Sequence, residues 1–408
     1  MASFARALTP VLAAAAIAGC GGAIGVAGDQ TPLTERDKNA QPVPFEATWR
    51  VNLQPGGIAR EDGEQLATAA YDPASDRVFV GVGDRAFLHA FRASDGHLLW
   101  KASLPGGTSG HAIMDEGRVV LGSDSGEIRA YKATNGELVW RYAVQGAVSE
   151  QPVVAGPNLY AVDGSNAIYA LDRASGTWRW QYRREPPGRF ALFGEGAPTV
   201  AEGRVHVGFS DGMLVTLAAD DGAVLWTRDL APEQDQFEDV DARVVVIGDR
   251  LFAASVAGGL YALSPETGDV LWTRPQKGIV LLTEVDGELV AGLDDGRLLR
   301  IEPTAGIGRW QLRFAAHEGA PTAIVSLGTA LVVTTAEGAL HLIDKRIGRP
   351  IWRFDPGSGF LAAPTAAANG SLFALANSGW FYAFRPAAMR PPLPPLNPLS
   401  TAWSRGAP

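Results

Sequence analysis

Cysteine is all but missing from this chain: Cys20 stands alone in 408 residues. A lone cysteine can form no internal disulfide and cannot build a cysteine-based metal site. Histidine is scarce as well. The six (His89, His97, His111, His206, His317 and His341) include no pair at the i, i+4 spacing of a helical zinc site, and their scatter predicts strand and turn surface with no metal ligation. Charge is thin, at 19% of residues, and leans acidic, with a formal net charge of -9. No run of Lys and Arg is long enough to track a phosphate backbone, which argues against a nucleic-acid partner. What is abundant is glycine (48) and tryptophan (11) in a chain that is 46% hydrophobic. That composition provides a core without bulk disorder, and so much glycine points to many turns between short strands.

The first residues, "MASFARALTPVLAAAAIAGCGG", have the three parts of a secretory signal: a charge at Arg6, an apolar run from Ala7 to Ile17, then small residues. The run is too short to span a bilayer. Its end, Ile17-Ala18-Gly19-Cys20, resembles the bacterial lipoprotein signal, which implies that Cys20 is lipidated and begins the mature protein. Acyl chains bury about 0.8 kcal/mol per methylene, so two or more anchor stably. Gly21 follows the cysteine, where aspartate is the inner-membrane retention residue of enteric lipoproteins. The expected location is therefore the periplasmic face of the outer membrane.

The interior of the chain repeats. "LYALSPETGDVLWTR" from Leu260 has counterparts beginning at Leu88, Ile128, Ile168, Leu214, Leu298 and Leu340. Their tryptophans are Trp100, Trp140, Trp180, Trp226, Trp272, Trp310 and Trp352, each with a glycine four residues before it, at spacings of 40, 40, 46, 46, 38 and 42. In each unit an apolar run that reads as an alternating strand is followed by a polar turn and a Trp strand. An upstream hairpin strand, as in "DRLFAASVAGGLYAL", and a short earlier one, as in "SEQPVVAG", bring the unit to four. This is the grammar of a four-stranded sheet repeated around an axis. The upstream hairpin recurs an eighth time as "GSLFALANSGWFYAF", with no Trp strand after it. "FEATWRVNLQ", Phe45 to Gln54, alternates like a Trp strand and carries Trp49. Pairing it with residues 381–384 would close a ring of eight blades and remove the open sheet edge. The tryptophans are expected to be structural, since burying an indole is worth about 4–6 kcal/mol gross. The carboxylates Asp95, Asp220, Asp221 and Glu266 sit at turns, where local hydrogen bonds account for them.

The pattern xYAlxxxTGxxxW, in register over nearly all of residues 45–385, is similar to the repeat of pyrroloquinoline-quinone (PQQ) enzymes and their non-enzymatic relatives. That resemblance implies an all-β, eight-bladed β-propeller closed by an N-terminal strand. Within that group the chain resembles the BamB family, lipoproteins that serve the machine inserting β-barrel proteins into the outer membrane. The chain then divides into a lipoprotein signal (1–19), a flexible linker (20–44), the propeller (45–385) and a Pro-rich tail (386–408). An enzyme of the quinoprotein kind would call for a vicinal cysteine pair, an ion held on carboxylates and amides, and a catalytic Asp. The sequence has no second cysteine and shows no such constellation, so neither cofactor, metal nor catalytic residue is assigned. A quinone-dependent dehydrogenase and a propeller binding some other envelope ligand or partner are the alternatives.

The two spacings of 46 place extra length in consecutive connections, "QYRREPPGRFALFGEGAPT" after Trp180 and "TRDLAPEQDQFEDVDARVV" after Trp226. In an up-and-down blade both emerge on one face as neighbours. The first offers Arg183, Arg184 and Arg189 with Phe190, Leu192 and Phe193; the second offers Glu233, Asp235, Glu238, Asp239 and Asp241. Apolar side chains flanked by charge suit protein docking. The family resemblance is closest here, because BamB proteins hold a POTRA domain of the barrel insertase BamA through "LxLRGExAPT" in one loop and "DVD" in the next. This chain reads "FALFGEGAPT" from Phe190 and "DVD" from Asp239. Phe190, Leu192, Asp239 and Asp241 match in kind, and Phe193 replaces an arginine. The resemblance thus implies partner binding by Phe190, Leu192, Phe193, Asp239 and Asp241, together with other members of the assembly machine.

Overall fold

A computed structural model describes residues 45–54, 67–82, 85–185, 196–230, 243–255 and 258–387. Eight antiparallel four-stranded sheets form the blades of a propeller. Blade 1 runs Ala70–Asp72, Arg77–Val82, Arg85–Arg92 and Leu98–Ser103, and blades 2 to 7 repeat that order. The first strands touch one another around the axis, and the fourth, Trp-bearing strands form the perimeter. Blade 8 takes Thr365–Ala366, Leu372–Leu375 and Trp380–Pro386 from the end of the chain and its perimeter strand, Phe45–Asn52, from the beginning. The closing ladder sets Phe45 opposite Pro386 and Asn52 opposite Trp380.

The middle strands do not alternate as the sequence suggested. Asn158–Asp163 and Ala330–Thr335 are buried at every position. Their two faces pack against the two neighbouring blades, so both rows of side chains are inside, as in a sheet covered on both sides. The perimeter strand keeps a mixed pattern, and in every blade the ladder shifts register one residue before the Trp. A bulge there adds twist and re-aims the following side chain.

That side chain locks one blade to the next. The indole Nε1 of Trp180 donates to the Ala219 carbonyl at 3.0 Å, and Trp226, Trp272 and Trp310 do the same to Pro265, Pro303 and Lys345 at 3.0, 3.1 and 3.1 Å. Each acceptor lies in the turn between the third and fourth strands of the following blade. The glycine of that turn lies on the ring: a Cβ on Gly222 would sit 2.6 Å from Trp180, and one on Gly268 would sit 2.6 Å from Trp226. Glycine is required there twice over, by the close approach and by a φ of +75° at Gly222. The Gly and Trp that are four apart in sequence therefore belong to different contacts. Trp49 completes the circuit by donating to Ala93 at 2.8 Å and packing on Gly96 of blade 1.

The seam between blades 7 and 8 is the exception, because blade 8 has no turn between its third and fourth strands. Trp352 packs instead on Phe45 and Phe384, with ring centroids 6.0 and 5.8 Å away. Phe354 adds edge contacts to Tyr382 and Phe384.

Two substitutions separate the parts of the lock. Gly222→Ala should cost about 2–4 kcal/mol, the left-handed backbone penalty plus the clash with Trp180. Gly203→Ala, at a φ of +72° with open space beside it, should cost only the backbone part, about 1–2 kcal/mol. Equal losses in urea denaturation would show that the indole contact contributes nothing. Deleting residues 45–52 should lower the melting temperature of the whole ring, because that segment supplies both the closing ladder and Trp49.

Candidate partner-binding face

The connections between blades and the turns joining second to third strands lie on one face of the ring; the other two sets of turns lie on the opposite face. The two long connections leave from the first of these faces. The described residues stop at 185 and resume at 196 around one, and stop at 230 and resume at 243 around the other. Phe190, Leu192, Phe193, Asp239 and Asp241 lie outside the described residues, as do Arg189, Glu233, Asp235, Glu238 and Cys20.

The roots of both connections are described, and they converge. Thr199, which follows the first, donates its hydroxyl to the Val244 carbonyl, which follows the second, at 2.5 Å. The Phe209–Gly212 turn of blade 4 receives the other two ends. Arg184 Nε reaches the Asp211 carboxylate at 2.6 Å, and the Leu230 N–H donates to the Gly212 carbonyl at 3.0 Å. Ser210 ties the same turn to blade 3 by donating to Asn166 Oδ1 at 2.9 Å. The expected neighbourhood of the two connections is thus set by hydrogen bonds at their bases. The arginines expected to face a partner are partly committed to this scaffold. Arg184 belongs to Asp211, and Arg183 donates to Gln145 Oε1 at 2.5 Å and to the Tyr169 hydroxyl at 3.2 Å. The turn at 209–212 carries no motif, and nothing in its residue types marks its role.

Three ionisable groups meet where the axial channel opens on this face, and the sequence had singled out only His111. Burial pushes the Glu150 carboxyl up to about 7, against the opposing pull of Arg243. Burial, helped by Arg243, brings His111 down to about 4, so it is neutral at physiological pH. Burial also draws the Arg243 guanidinium down from its usual value while Glu150 holds it up. Arg243 is exposed to water, yet the protein crowded around its guanidinium still weakens its hydration. Below the mouth lies a cavity of about 320 Å³ lined by Thr68, Tyr71, His111, Met114 and Gln151, with small and aliphatic residues making up most of the rest.

The cavity can be tested for the quinone and metal ion that the related enzymes imply. Among the described residues no three of His, Cys, Asp and Glu cluster as metal ligands, and the sequence has one cysteine. A wall of mainly apolar side chains with one nearby guanidinium does not fit a polycarboxylated quinone paired with a divalent cation.

Two histidines correct the sequence reading. His206 and His341 are completely buried, not on strand surface, because they sit on middle strands covered from both sides. His206 Nδ1 is 2.7 Å from the Thr216 hydroxyl, and burial brings its pKa to about 4. His341 Nε2 lies 2.6 Å from Glu318 Oε2, whose other oxygen pairs with Arg353 at 3.1 Å. Burial alone would raise the Glu318 pKa, but the bonds from His341 and Arg353 outweigh it and the net shift is downward. Two of the four turn carboxylates make the local bonds expected of them: Asp95 and Asp221 accept the N–H of His97 and Ala223 at 3.0 Å each.

A family model described as "Outer membrane protein assembly factor BamB" matches residues 84–312 and 294–387. Among curated proteins, the outer membrane protein assembly factor BamB of Yersinia pestis is 32% identical over 201 residues, 48% of this chain and 50% of that protein. The chain spans about half the length of the enterobacterial relatives it matches. Among solved structures, BamB from Moraxella catarrhalis superposes with a TM-score of 0.69 at 21% identity, covering 84% of this chain and 99% of that one. A quinohemoprotein alcohol dehydrogenase from Comamonas testosteroni superposes at 0.65 with 14% identity, over 89% of this chain and 80% of that one. Both superpositions speak to the fold alone.

The raised Glu150 pKa has a signed consequence for stability. The folded state holds this proton more tightly than the unfolded state, so the penalty is absent below about pH 4 and grows as pH rises to about 7. Glu150→Gln should gain about 2 kcal/mol on the parent between about pH 5 and pH 8, after allowance for water in the channel. Denaturation at both pH values measures this, and a pH-independent difference would place the carboxylate in bulk solvent.

Proposed function

We propose, from the premise that this chain belongs to the BamB family of outer membrane protein assembly factors, that it is a non-catalytic scaffold of the β-barrel assembly machinery. It holds a POTRA domain of a BamA-like insertase and aids the insertion of β-barrel proteins without chemistry of its own. The observation that supports this best is that the described roots of the two long connections converge on one face, Arg184 and Leu230 at the 209–212 turn and Thr199 at Val244. A projecting surface built from two connections needs fixed bases, since ordering loops at the moment of binding costs affinity. Phe190, Leu192 and Phe193 would supply the apolar contact, and Asp239 and Asp241 the acidic one. Phe193 stands where relatives carry arginine, so the contact there would be apolar instead of charge-assisted. Lipidation at Cys20 would hold the propeller at the periplasmic face of the outer membrane through a linker of residues 20–44. The tail, 386–408, has no assigned part.

Replacing Leu192 by Asp and Asp241 by Lys should reduce co-purification with the barrel insertase by at least about tenfold, or about 1.4 kcal/mol. Full-length lipidated protein with a melting temperature equal to the parent's, and undiminished association, would reject this face as the dock. Arg184→Ala should weaken the same association less, by freeing the base of one connection, without touching the contact residues.

A further inference from the structure

The charge of the molecule is sorted by radius. The eight innermost strands contain no Lys or Arg. The eight perimeter strands contain eleven, against two acidic residues, Glu46 and Asp229. Yet the chain as a whole carries 44 Asp and Glu against 35 Lys and Arg. The perimeter strands therefore have the opposite sign to the molecule, although carboxylates beside them pair with several of their cations, Arg179 with Asp172 and Arg313 with Asp295 among them. In some of the rim ion pairs the cation stands outside its partner: Arg141 is 61% exposed and Glu127 20%, and Arg309 is 53% exposed and Glu288 21%; at Arg228–Asp269 and Arg353–Asp355 the carboxylate is the more exposed of the two. Lys101 lies over the Phe87 ring at 4.6 Å.

Cations on an edge strand guard against edge-to-edge aggregation, and the bulge before each Trp works the same way. That explanation is incomplete here, because exposed apolar side chains sit among the cations and oppose that purpose. On blades 1 to 3 the perimeter strands Leu98–Ser103, Leu138–Ala143 and Trp178–Arg183 carry no acidic residue. They expose Leu138 and Val139, and Trp178 is 50% exposed. Basic and apolar side chains therefore share one convex strip whose strands have a hydrogen-bonded neighbour on one side only.

We propose that this strip, centred on Lys101, Leu138, Val139, Arg141, Trp178 and Arg179, binds an extended polypeptide that alternates acidic and apolar side chains. Barrel strands alternate apolar with polar side chains, and those whose polar row is acidic would match the strip, so the assignment rests on the assembly role proposed above and names the client surface within it. The bulges confine regular strand pairing to the few residues after each Trp, which leaves side-chain charge and apolar contact to carry recognition. A flat lipid surface fits less well. A plane meets a convex rim at one or two blades and recruits few cations, whereas a flexible chain follows the curve.

The test titrates the full-length protein with a fluorescent peptide alternating Glu with Val and Tyr, with the same peptide carrying Lys for Glu, and with phosphatidylglycerol vesicles. The Glu peptide should bind, should weaken about tenfold in 0.5 M salt, and should bind K101E/R141E at least about fivefold more weakly. The Lys peptide should not bind. V139S/W178S, which leaves every charge in place, serves as a second variant should the charge reversal fail to fold, and it should also lose affinity for the Glu peptide. Equal binding of the two peptides, affinity unchanged in the folded variants, or binding to vesicles without binding to the Glu peptide would overturn the proposal. Association with the insertase, measured on the same samples, should be unchanged. Its absence in the parent protein would fail the docking reading by itself, whatever the peptides do.

Discussion

One contact carries this architecture: an indole laid on the glycine turn of the neighbouring blade. The blades have no covalent staple, since one cysteine forms no internal disulfide. Each sheet buries its middle strands only when a neighbour covers both faces, so no blade is stable alone. The indole fixes the angle between neighbours by a ring face that admits no Cβ and, at Trp49, Trp100, Trp180, Trp226, Trp272 and Trp310, by a directed N–H bond as well. At Gly136 and Gly176 the added atom would lie 2.6 and 2.5 Å from Trp100 and Trp140. A contact that tight leaves little freedom in the spacing between blades, which accounts for a repeat that stays within 38–42 residues except at the two long connections.

Much of the fold was legible because its strongest signals are local. A Gly-x-x-x-Trp unit at a steady period counts the blades, and a missing eighth Trp strand with a spare one at residues 45–54 predicts the closure that the Phe45–Pro386 ladder displays. What the sequence could not reveal is which repeat touches which. Gly268 and Trp272 are neighbours in the chain, but Gly268 serves Trp226 and Trp272 serves Gly306. The burial of His206 and His341 was hidden for the same reason, since only the ring shows that a middle strand is covered twice. Asp211 and Glu150 illustrate a further limit. Each sits in an ordinary polar stretch, and its importance comes from what another blade brings to it.

The same reasoning bears on function. Repetition argues for architecture, and function is sought in what breaks it: the two long connections, the axial charges and the lone Cys20. The family match over residues 84–387 names the family, and the propeller is the fold expected from the repeat, while the mainly apolar wall of the axial cavity is ill suited to a quinone and its ion. The radial sorting of charge lies between these categories. Every cation concerned is visible in the sequence, but none can be called peripheral until the strand order is known.

The closing ladder also decides how the ring meets its surroundings. Phe45 and Pro386 are paired residues, so both ends of the folded chain reach the same point. That point lies on the face where third strands turn into fourth strands, opposite the face that bears the long connections. The ring is therefore a spacer with two distinct sides. A load or tether applied through either terminus leaves the other side unobstructed, and one molecule can be held from below while it holds a partner above.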